Sequence, residues 1–96
     1  MIDRIDLLLG RRLRARRRLM GLTLAELAAA VGVRFQQVQK YECAASKISA
    51  QRLWQFACVL DVEVEYFYAG LHEMRSQAVV AASPLSRVEL TSAPSA

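Results

Sequence analysis

The sequence predicts an all-α domain of five helices over residues 1–70, followed by an extension of residues 71–96 that is partly helical or disordered. Three observations carry that expectation. Hydrophobic residues make up 54% of the chain, much of it Ala, Leu and Val, with few β-branched runs; such a composition favours helix. Apolar residues recur three and four apart, the spacing of one helix face. Gly21, Gly32 and Gly70 fall where helices would stop, and Thr23 and Ser49 where they would start.

The first helix is expected over Ile5 to Met20, with Leu9, Leu13 and Met20 on its core face and Ile5 near the edge. Arg11, Arg14 and Arg18 form a separate stripe, three and four residues apart, that can follow a phosphate backbone. Arg17 lies beside the core face and needs a buried or half-buried partner. The second helix starts at Thr23, whose hydroxyl and the Glu26 carboxylate fit a capping box, and runs to about Val31. Leu24, Leu27, Ala28 and Val31 form its inward stripe, and its alanines allow close approach by another helix.

Gly32 is the natural left-handed residue after that helix. The third helix spans about Arg34 to Cys43, with Val38, Tyr41, Glu42 and Arg34 inward and Phe35 at the edge. Gln36, Gln39 and Lys40 point outward with Gln37 on the flank, so the exposed face is rich in amides that both donate and accept. Ser49 caps the fourth helix, and Ile48 can staple onto Leu53 across the cap. Leu53, Phe56, Ala57 and Leu60 form its core stripe and leave Trp54 half exposed. A last short helix, Val64 to Tyr68, offers Phe67 to the core. After Gly70 the chain turns rich in Ala and Ser and carries both prolines, Pro84 and Pro94; a flexible tail is expected beyond Pro84.

Ninety-six residues allow one domain with a small core. No apolar run approaches the roughly 20 residues of a membrane span, and the N-terminus lacks the pattern of a signal peptide; a cytoplasmic, nucleoid-associated protein is expected. Cys43 and Cys58 show no metal-ligand spacing and have one histidine, His72, for company, so a reduced pair is expected. The net charge of +4 is uneven: residues 1–20 hold seven Arg and two Asp, residues 21–70 four basic and five acidic groups, and residues 71–96 two of each. A positive charge gathered on one element suits a polyanionic partner.

Two helices joined through a Gly-containing turn, the second exposing polar residues, form a helix-turn-helix pattern. Residues 5 to 70 resemble the Cro/phage-repressor (Xre) family of five-helix DNA-binding domains. The resemblance rests on Arg17, Gly21-Leu22-Thr23, Glu26-Leu27-Ala28, Gly32-Val33, Val38, Tyr41-Glu42 and Leu60-Asp61-Val62-x-Val64. It implies that the third helix lies in the major groove of double-stranded DNA, with Gln36, Gln37, Gln39 and Lys40 reading bases. Gln bonds an adenine edge bidentately and Lys prefers guanine or phosphate, each good bidentate contact supplying ~1–3 kcal/mol of discrimination. It further implies that Thr23 and the open N–H groups of the second helix hold a phosphate. Arg34, which replaces the usual polar cap, could reach another, and Lys47 joins Arg11, Arg14 and Arg18 as a phosphate contact. Arg17 is implied to pair with Glu42. The chain departs from the family at Leu24, where Gln is usual, and at Ala44, where a helix-ending Gly is usual.

These readings describe a sequence-specific transcriptional regulator of bacterial or phage type, binding paired half-sites as a homodimer. Trp54, Tyr66, Tyr68 and the segment Leu71 to Val80 are candidates for the subunit contact. The competing reading is a protein-interaction module, antitoxin-like or anti-regulator, whose tail binds a partner protein. An enzyme is not expected, and no cofactor: no Ser/His/Asp set, metal-spaced cluster or Gly-rich phosphate loop is visible.

Overall fold

The computed structural model describes residues 3–71. The chain forms α1 (Arg4–Leu19), α2 (Leu24–Val31), α3 (Phe35–Glu42) and α4 (Ala50–Val59), then a 3-10 helix, Val64–Tyr68. The expected fifth α-helix is thus one short turn of 3-10 type. Its five residues begin with a β-branched Val and include three aromatics, all weak helix formers, and no side chain caps it. Tyr66 N–H bonds back to Glu63 O at 3.0 Å and Ala69 N–H to Tyr66 O at 3.2 Å, the three-residue step of the tighter helix. The expected tail, and the helical turns expected within Leu71 to Val80, lie outside the described residues.

Local chemistry sets each boundary. Asp3 accepts from Ile5 N–H at 2.7 Å and starts α1. Gly21, at φ 73°, turns the chain after it. Thr23 Oγ1 accepts from Glu26 N–H at 3.0 Å while Glu26 Oε1 accepts from Thr23 N–H at 2.8 Å, closing the capping box of α2. Gly32, at φ 77°, ends α2 and directs the chain into α3. Ser49 Oγ accepts from Arg52 N–H at 3.1 Å and starts α4. The connector after α3 takes the path its sequence makes costly: Ala44 sits at φ 64°, a strain of about 1 kcal/mol for a residue with a Cβ. The hydrogen bond from Ala45 N–H to Lys40 O, 2.8 Å, offsets part of it.

Leu9 and Leu13 of α1, Leu27 and Ala28 of α2, Val38 and Tyr41 of α3, Leu53, Phe56 and Ala57 of α4, then Leu60 and Phe67, make one buried cluster. Tyr41 meets Phe56 edge to face with ring centroids 5.8 Å apart. Met20 does not join them. It is in phase with Leu9 and Leu13, but α1 stops at Leu19, so the side chain is 42% exposed beyond the last turn.

The positive charge of α1 is divided between two tasks. Arg16 Nε donates to Leu60 O at 2.8 Å, at the C-terminus of α4. Arg12 Nη2 donates to Ala69 O at 2.9 Å, at the end of the 3-10 helix. Arg52, on α4, donates to Val31 O at 2.7 Å, the last residue of α2. Each guanidinium thus satisfies orphan carbonyls at the negative end of another helix. Among the described residues the side chains of Arg4, Arg11, Arg14 and Arg18 make no hydrogen bond or ion pair.

Candidate nucleic-acid interface

Helices α2 and α3 pack on each other around the Gly32 turn. Val38 and Tyr41 turn inward from α3, and this fixes its outer face. Gln36, Gln39 and Lys40 are exposed there, and Gln37 is half-buried on the flank. Val33, Arg34, Gln36, Gln37 and Lys40 line an open concavity of about 500 Å³. Arg34 was expected on the inward side and is instead exposed. It precedes the helix in extended conformation, φ −78° and ψ 151°, so a helical wheel does not apply to it. As the N-cap it makes no capping bond, since a guanidinium cannot accept.

The far end of α3 is pinned from α1 in two ways. Arg17 Nε donates to Glu42 Oε2 at 2.6 Å and Nη2 to Glu42 Oε1 at 3.1 Å, a two-pronged pair whose side chains are 12% and 7% exposed. Arg17 Nη1 also holds Leu22 O at 2.9 Å, so one guanidinium joins the approach to α2 with the end of α3. Two turns earlier on α1, Gly10 lets the two backbones touch. A Cβ at Gly10 would lie 2.5 Å from both the Tyr41 and Glu42 carbonyl oxygens, closer than any side chain can sit.

Arg11, Arg14 and Arg18 are exposed. Lys47 stands in the α3–α4 connector with its ammonium 2.8 Å from Asp6 Oδ2 on α1. That hydrogen bond, then the Asp6 charge, hold its pKa above the ordinary lysine value; a phosphate would have to compete with Asp6 for it. Thr23 already accepts from Glu26 N–H, and its own N–H is taken by the Glu26 carboxylate. The Thr23 backbone N–H, then its hydroxyl, pull the Glu26 pKa down. The N-terminus of α2 therefore carries a carboxylate of its own, and a phosphate there would share the end with it.

Sequence reading missed Gly10, Arg12, Arg16 and Arg52. Arg16 was findable, because on a helical wheel it lies as near Leu9 and Leu13 as Arg17 does. Gly10, in the middle of a helix with no turn to make, signalled only that something must approach closely. Of the candidate subunit contacts, Trp54 is 60% and Tyr68 41% exposed. Tyr66 is engaged internally, its ring 5.4 Å from that of Phe67 and beneath the Arg12 guanidinium. Among the described residues no helix is long and apolar enough to cross a membrane, and no His, Cys, Asp and Glu cluster could hold a metal ion.

Comparison with known proteins places this arrangement. The helix-turn-helix family model matches residues 13–67. An uncharacterised HTH-type transcriptional regulator of Sinorhizobium fredii, y4aM, is 45% identical over 67 residues, which are 70% of this chain and 47% of that protein. The chain spans about half the length of the curated relatives it matches. Among solved structures, the restriction-modification controller protein C.AhdI from Aeromonas hydrophila superimposes with a TM-score of 0.62 at 27% identity, over 65% of this chain and 94% of its own. The master regulator for biofilm formation SinR, solved in complex with DNA, gives 0.59 at 31% identity, over 62% of this chain and 97% of its own.

Proposed function

Because the chain belongs to the helix-turn-helix family, in its Cro/phage-repressor (Xre) branch, we propose that it is a sequence-specific DNA-binding transcriptional regulator. In this reading α3 enters the major groove, and the protein binds paired half-sites as a homodimer. The observation that carries it is the outer face of α3: Gln36, Gln39 and Lys40 exposed, with Gln37 beside them, on a helix whose far end is fixed by Arg17 and Gly10. Base reading needs donors and acceptors held in one orientation, and this face offers both. Gln36 and Lys40 stand one turn apart and reach neighbouring base edges. Arg11, Arg14 and Arg18 supply phosphate contacts with no internal partner to give up; Arg34 adds one at the start of α3. Thr23 and Lys47 contribute less, since each already serves a carboxylate.

Recognition by one helix covers few base pairs, so two copies on a two-fold site supply useful affinity. The kinship with HTH-type transcriptional regulators and the DNA-bound state of SinR support the same reading. Selecting bound duplexes from a random pool tests it. The expected product is a half-site repeated with two-fold symmetry, at a centre-to-centre spacing near one helical turn or a multiple of it. A pool that stays unenriched at low salt contradicts it.

A further inference from the structure

Phe35, the first residue of α3, is 47% exposed and is the one large apolar side chain exposed on that helix. Val33, two residues earlier, packs against the buried cluster; Phe35 is not one of the cluster's buried residues and stays about half exposed. An aromatic ring outside the buried cluster, left about half in water, precedes Gln36 in the chain and lies one turn before Gln39 on the same side of the helix. The surroundings are polar and positive: Arg34 precedes it, and Lys40 is exposed further along the helix. That charge matches a phosphate-lined groove better than the apolar patch of another protein. Within the major groove one base presents an apolar group, the C5-methyl of thymine, and Phe is among the side chains that can pack on it. A phenyl ring has only two torsions to immobilise, so the contact costs little entropy.

We infer that Phe35 is a base-reading residue, its ring packing on the C5-methyl of a thymine in the base pair read by Gln36 or the pair next to it. The inference rests on α3 being the groove-facing helix and adds the class of site it prefers. Gln36 bonding an adenine edge and Phe35 covering a neighbouring methyl together favour an A·T-containing step at the start of the reading helix.

The test uses the full chain and the half-site selected from a random pool. Gln36→Ala first maps the base pair that Gln36 reads. Each thymine within one pair of it is then replaced by uracil, which removes the methyl and nothing else. The wild-type protein should lose about fourfold in affinity at one of these positions, the loss expected for a single buried methyl group. Phe35→Ala should bind the thymine and uracil duplexes equally, and Phe35→Leu should keep part of the preference. A half-site without thymine at those pairs, a wild-type protein indifferent to uracil, or an undiminished preference in Phe35→Ala would each overturn the inference while leaving DNA recognition intact. Failure to select any half-site would remove both readings together. The wild-type measurement stands even if a variant folds poorly.

Discussion

Arg17 and Glu42 form a largely buried, two-pronged ion pair, 2.6 and 3.1 Å, that ties the end of α1 to the last residue of α3. Little solvent reaches it, so removing one partner strands a buried charge. Glu42→Ala should cost ~3–5 kcal/mol, a large share of the ~5–15 kcal/mol that holds a domain of this kind folded. Denaturant unfolding of the two proteins checks it; a midpoint within error of wild type would show that the pair does not hold the domain.

Gly10 gives a prediction of opposite sign to helix propensity. Gly→Ala within a helix ordinarily stabilises by ~0.5–1 kcal/mol. At Gly10 the new methyl would meet two α3 carbonyl oxygens at 2.5 Å, and backbone cannot rotate away. Gly10→Ala should therefore destabilise, by ~1–3 kcal/mol as overpacking does, and lower the melting temperature. A rise in melting temperature would mean that α1 and α3 are not held this closely.

The arginines of α1 should separate into two classes. Arg14→Ala should leave stability unchanged, weaken binding to all DNA sequences alike and reduce the salt slope by about 1. Arg16→Ala should lower stability by ~1.5–3 kcal/mol, because it removes a charged donor from the Leu60 carbonyl at the end of α4. Thermal melts and salt titrations on the same two variants check both halves.

Glu26 supplies a pH dependence. Its folded pKa lies below the ordinary value of 4.5, because the Thr23 backbone N–H and hydroxyl favour the carboxylate. A depressed carboxyl pKa gives stability that is present above the unfolded value and lost as pH falls through the folded one. The stability gap between wild type and Glu26→Gln should accordingly be open at pH 7 and narrow as the pH falls below the ordinary carboxyl value of 4.5 and through the lower folded one. Urea midpoints across that range measure it; a gap that widens on acidification contradicts the capping geometry.

The sequence made the helices legible because their signals are local: the Thr23–Glu26 box, Gly32, Ser49 and the spacing of Leu53, Phe56, Ala57 and Leu60 each act within a few residues. The outer face of α3 was legible for the same reason, once Val38 fixed the inward direction. Apart from the Arg17–Glu42 pair, which the family resemblance implies, long-range uses of side chains were not. Arg12 and Arg52 reach carbonyls on other helices, and nothing in their own neighbourhood marks them apart from Arg11 or Arg14, whereas Arg16 is marked by its place beside Leu9 and Leu13 on the helical wheel. The fifth helix was misjudged in type because five residues carry too little information to separate α from 3-10 geometry. Arg34 faces solvent, not the core, because it stands before the first residue of α3 in extended conformation, where helical periodicity does not apply. Phe35 is at the edge of the inward face by helical spacing, and its exposure is a property of the folded structure that spacing does not carry.

The central claim is that α3 reads base sequence from a fixed orientation. Equilibrium binding to a selected duplex and to a scrambled duplex of the same composition, followed against salt for wild type and Gln36→Ala, tests it most directly. Wild type should discriminate strongly between the two, with parallel salt slopes set by shared phosphate contacts. Gln36→Ala should lose ~1–3 kcal/mol on the selected duplex alone, confined to one base-pair position. Equal affinity of wild type for both duplexes across the salt range would contradict the account.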